Sequence, residues 1–139
     1  MSKKHLFIPL LLAGSFTAAH AQTSVLVNLN KNYQTGLELL DNEKYVAAAQ
    51  QFRLVEQLRQ KPGTQSESNA ELSMLKENAK FYAAVCALEL GNRDAESLFQ
   101  NFIKDYPLNP NTKLAYFHVG KSYFDQKNYK KALEWFEKT

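Results

Sequence analysis

A single cysteine, Cys86, stands among the 139 residues, so no disulfide can form within the chain. Histidine is nearly as scarce, and beyond residue 21 only His118 remains. A Cys–His pair is therefore the one nucleophilic constellation the composition permits beyond residue 21, and nothing in the spacing brings the two together. One His and one Cys also fall short of any zinc ligand set. The five glycines are scattered, with no cluster able to cradle a phosphate. Long apolar runs are absent too. The most apolar stretch, residues 6–13, is interrupted by Pro9 and falls well short of the roughly 20 residues a bilayer span needs.

That short apolar stretch belongs to a leader. Lys3 and Lys4 give a positive start, and Ala19-His20-Ala21 supplies the small-x-small pattern of signal-peptide cleavage before Gln22. Residues 1–21 are expected to be an export signal, which leaves residues 22–139 as the mature chain and no integral span within it. Without Lys3 and Lys4, 15 of the 17 basic residues face 14 acidic ones. Such a near-neutral balance carries no electrostatic footprint for nucleic acid or an anionic membrane.

What the sequence has in quantity is helical periodicity. Residues 33–41 and 45–59 are apolar at helical spacing through Leu37, Leu40, Ala49, Phe52 and Val55, with Asp41-Asn42-Glu43 as the turn. Residues 61–69, rich in Pro, Gly and Ser, read as a loop. A second pair is expected from Glu71, closing at Gly91-Asn92 and resuming over about 94–106. Pro107 and Pro110 delay the third pair, which occupies residues 112–139.

The first and third pairs repeat one another. Residues 36–52 laid on 120–136 share five of 17 positions: Gly36/Gly120, Asp41/Asp125, Tyr45/Tyr129, Ala48/Ala132 and Phe52/Phe136. A fixed period is the mark of stacked repeats. Tyr116, Val119, Gly120, Tyr123, Ala132 and Phe136 fall in order on the tetratricopeptide (TPR) pattern, and the mature chain resembles a TPR protein on these residues. The resemblance implies an all-α fold of antiparallel helix pairs stacked as a right-handed α-solenoid, with units at about 29–60, 71–107 and 112–139. Matching Ala95, Phe99 and Pro107 to the pattern puts the second unit 37 residues before the third, with an insertion of three residues in 108–111.

Asp41 and Asp125 recur at one repeat position, which suits a helix-end role rather than a catalytic pair. Phe117 and Phe124 flank the packed stripe of the third unit. In a TPR array that flank lines the concave groove. The same register carries an expected partner-binding groove through Lys121 and Asp125, then Lys80 and Ala84, then Tyr33 and Leu37. An alternative for Phe117 and Phe124 is contact with a further repeat. Phe99-x-x-Phe102-Ile103-x-x-Tyr106-Pro107, followed by Ala115-Tyr116, is similar to the repeats of exported TPR coordinators and assembly proteins of Gram-negative envelopes. That likeness implies a non-catalytic, cofactor-free scaffold or adaptor in the periplasm or at the outer membrane, with a protein or peptide partner. The alternative is the N-terminal TPR region of a larger sensor or enzyme. Because Trp135 and Phe136 stand close to Thr139, the chain is expected to be an N-terminal piece of a longer array, with an uncovered edge there.

Overall fold

The computed structural model describes residues 17–57 and 67–139, with side chains described from 26 to 57 and from 70 to 139. Six helices are seen among them: α1 (Thr17–Asp41), α2 (Tyr45–Gln57), α3 (Glu67–Glu89), α4 (Ala95–Asp105), α5 (Thr112–Asp125) and α6 (Tyr129–Phe136). No strand occurs in the described residues. Neighbours in sequence pack on one another, and the first helices of successive pairs, α1, α3 and α5, also touch.

The three pairs turn on one device. Lys44 N–H donates to the Leu39 carbonyl, Asn92 N–H to Ala87 and Asn128 N–H to Tyr123, at 2.8 to 2.9 Å. The residue before each donor, Glu43, Gly91 or Lys127, lies in the left-handed region and bonds back to Leu40, Leu88 or Phe124. These are paired bonds of the Schellman type, which satisfy the carbonyls left free at a helix end. Only Gly91 adopts that backbone without a Cβ penalty; Glu43 and Lys127 bear about 1–2 kcal/mol each.

The turns also correct the repeat register. Counted from the left-handed residues 91 and 127, the first helices of the second and third pairs are offset by 36, not 37. Gly91 precedes Ala95 by four residues, whereas Glu43 precedes Ala48 and Lys127 precedes Ala132 by five. One residue is missing from the second turn. In the true register Ala84 stands where Gly36 and Gly120 stand, at the point where paired helices meet.

Small residues are required at that point. A Cβ on Gly36 would lie 2.7 Å from Phe52 Cε1, and one on Gly120 would lie 2.5 Å from Phe136 Cε1. The rings fill the space that the missing side chains leave. Two packed clusters result. Leu29, Tyr33, Phe52, Val55 and Cys86 join α1, α2 and α3, while Phe81, Phe99, Phe102, Val119 and Trp135 join α3 to α6. Tyr82 bridges them, stacked on Phe52 at 5.5 Å and edge-on to Phe81 at 5.1 Å.

Four expectations change. The first helix begins at Thr17 rather than near 33, because Leu29 extends the buried stripe toward the N-terminus. The second pair begins at Glu67, so 67–69 are helical; the rest of that expected loop, and Arg59 with it, lies outside the described residues. Trp135 is buried and tilted against Tyr116, so the expected uncovered edge does not include it. The helix-end role falls to Asn42 and Asn128: Asn42 Nδ2 donates to the Glu38 carbonyl at 2.6 Å, and Asn128 caps α6. The expected leader lies outside the described residues up to residue 16, and α1 runs through 17–21.

Candidate partner-binding surface

The eight residues expected in a groove separate into two groups of four. Phe117, Lys121, Phe124 and Asp125 recur at spacings of four, three and one along α5 and are all exposed. Lys121 Nζ lies 2.6 Å from Asp125 Oδ2, which ties the charged part of this face together. Phe124 is met edge-on by Tyr129 at 5.4 Å, and Phe117 lies 5.8 Å from Phe136. Leu114 on α5 and Leu133 on α6 are exposed as well; no groove register includes them, although their amphipathic spacing was available.

The other four are not a free surface. Tyr33 is buried, edge-on to Phe52 and Tyr82, and burial pushes its hydroxyl up to about 12. Ala84 is fully buried in the second cluster. Leu37 is half-buried against the first. Lys80 folds over the Tyr106 ring, donating to its hydroxyl at 2.8 Å, and that bond is the main reason its ammonium is held above the ordinary lysine range. Correcting the register by one residue puts Phe81 and Val85 in place of Lys80 and Ala84, and both are buried, so the shift does not open this surface. Tyr33 was placed in correct register, so its burial has another reason.

That reason is the neighbouring helix. Tyr33, Phe81 and Phe117 are equivalent in the corrected register, and their exposures are 9%, 2% and 48%. Tyr82 of α3 covers Tyr33, and His118 of α5 covers Phe81 at 5.8 Å edge-on. Among the described residues no helix stands over Phe117 in that way. The α5 face thus pairs two half-exposed rings with an ion pair. Burying each ring against a partner is worth roughly 1 kcal/mol, about half the value of a fully transferred side chain.

The groups that could carry chemistry are engaged in packing. Cys86 is buried in the first cluster, where burial pushes its thiol up to about 11, far from a reactive thiolate. His118 stacks on Phe99 in the second cluster, and burial lowers its affinity for a proton. The two residues therefore belong to different clusters. Among the described residues no group of three His, Cys, Asp or Glu could hold a metal ion, and no helix is long and apolar enough to cross a membrane.

Residues 78–109 match the tetratricopeptide repeat family model. They run from mid α3 through α4 to Asn109, so the match falls on the second pair, not on the third, which carries more of the pattern's residues. No curated protein and no solved structure matches the chain. The repeat is one whose usual work is to hold other proteins, and it is typically non-catalytic.

Proposed function

We propose that the chain, with a tetratricopeptide unit at its centre and helix pairs wound as a right-handed solenoid, is a non-catalytic scaffold or adaptor of the bacterial cell envelope. It is exported through residues 1–21 and works in the periplasm or at the outer membrane, where it engages a protein or peptide of the envelope. Support for export comes from Lys3, Lys4, the apolar residues 6–13 and Ala19-His20-Ala21. Support for a binding role comes from the repeat match and from one observation above all: the exposed face of Phe117, Lys121, Phe124 and Asp125. Aromatic rings beside a charge pair provide apolar area together with groups that orient a partner.

A photo-crosslinking residue placed at Phe117 or Phe124 in the native cell tests the reading. Covalent adducts with one envelope protein are expected from both positions and none from Ser97 on α4. Adducts only with cytoplasmic proteins, or the same adducts from Ser97, would overturn it. Intact mass of the envelope form adds the second check, with a start at Gln22 expected.

A further inference from the structure

The connection between α4 and α5 is short, but it is fastened with unusual care. Pro107 and Pro110 restrict its backbone, and Thr112 Oγ1 donates to the Tyr106 carbonyl at 2.8 Å. Asn109 is buried, and its side-chain amide donates to Glu77 Oε2 at 3.0 Å and to Asn78 Oδ1 at 3.3 Å. Its oxygen accepts from Asn111 N–H at 2.9 Å, and Asn111 Nδ2 reaches Asn78 Oδ1 at 3.0 Å. The loop is thus bolted to α3, yet it presents Leu108 at 96% exposure.

Leu108 borders a cleft of about 320 Å³ between the loop and the flank of α3. Met74, itself exposed, and Tyr106 give the cleft apolar walls, and the two prolines extend them. Among the described residues, the only charged groups lining it are the carboxylates of Glu77 and Asp105, and Glu77 also accepts from Asn109 and Ser73. Lys80, held on Tyr106, does not line it, although its ammonium is near enough to feel the Asp105 carboxylate.

We propose that this cleft is a second docking surface, which takes an extended peptide segment carrying one large apolar side chain with Lys or Arg within two residues of it. The apolar side chain enters between Met74 and Leu108, and the cation meets Asp105 and Glu77. Two features favour this occupant. The loop is ordered before binding, so little entropy is lost in presenting Leu108. Among the described residues the lining charge has one sign, which favours a basic neighbour and disfavours an acidic one. The inference rests on reading the chain as an interaction module and gives that module a partner chemistry and a second place to bind.

A random peptide library panned against the whole chain tests it, followed by fluorescence anisotropy on the enriched peptides. Enriched sequences are expected to pair Leu, Met or Phe with a nearby Lys or Arg. Asp105→Lys and Met74→Ser, both exposed and remote from the core, are expected to weaken binding at least tenfold, while Arg93→Glu in the exposed turn before α4 leaves it unchanged. Asn109→Ala, which unbolts the loop, is expected to weaken binding with Leu108 still present. No enrichment, enriched peptides without a basic residue, or equal binding to Asp105→Lys would each overturn the proposal. So would self-association of the chain lost on Leu108→Ser, which would make the occupant a second copy. Failure here with crosslinks retained at Phe117 removes the cleft and leaves the module.

Discussion

Phe81 and Phe117 occupy the same place on successive first helices, 36 residues apart, and have opposite surroundings. Phe81 is closed in by Phe99, Phe102 and His118; Phe117 keeps nearly half of its surface in contact with solvent. Their own helices do not make the difference. Phe99 and Phe102 come from α4 of Phe81's own pair, and the unit that follows completes the cover with His118, so identical positions serve as core in one repeat and as surface in the next. A contact residue and a binding residue are then the same chemistry seen with and without a neighbour.

The largest test of this comparison is a pair of truncations. Phe81→Ala is expected to cost about 3–5 kcal/mol, the usual range for a buried Phe, and Phe117→Ala less than about 1. Urea unfolding of both variants checks this; similar losses would break the equivalence drawn between an occupied and an open position. A second pair sharpens it. Phe52 is fully buried, whereas Phe136 is half-buried. Gly36→Ala is therefore expected to destabilise by about 1–3 kcal/mol through overpacking. Gly120→Ala is also expected to destabilise, since its Cβ would meet Phe136 Cε1 at 2.5 Å, but by less, as Phe136 is only half-buried and the helix gains up to about 1 kcal/mol in propensity.

Smaller effects belong to the turns. Gly91→Ala places a Cβ in the left-handed region and is expected to cost about 1–2 kcal/mol. Lys127→Gly relieves the same strain in the third turn, but part of the gain is offset by a freer unfolded chain, so a net gain below about 1 kcal/mol is expected in thermal melts.

The smallest effect is set by pH. Burial holds His118 below the ordinary imidazole value of 6.5, an effect opposed by Glu89 and reinforced by Lys121. The unfolded chain then binds the proton more tightly than the folded one. Stability is full above about pH 6.5 and declines as pH falls below it, levelling off below the folded value. Unfolding of His118→Phe measured across that window should lack this decline.

The repeat, the close approach at Gly36 and Gly120 and the rings that meet it were legible because the two pairs share those residues outright. The second pair was misregistered because its turn is one residue shorter, and a deletion opposite a glycine leaves no periodic trace. The start of α1 went unread although Leu26, Leu29 and Tyr33 stand at helical spacing, because Val25 and Val27 interleave further apolar residues among them; Leu29 is held in the first cluster. Tyr33 shows the deeper limit. Its position was right and its exposure wrong, because its cover comes from Tyr82 on another helix. Of the expected groove, the α5 residues were found together because helical spacing alone puts them there.

Hydrogen exchange along the folded chain addresses the claim that each unit is secured by its successor. Amides of residues 82–90 in α3, packed on both sides, are expected to exchange at least about tenfold more slowly than those of 130–139 in the last pair. Equal protection of the two segments would contradict that dependence, and with it the view that the α5 face is open because nothing in the described chain covers it.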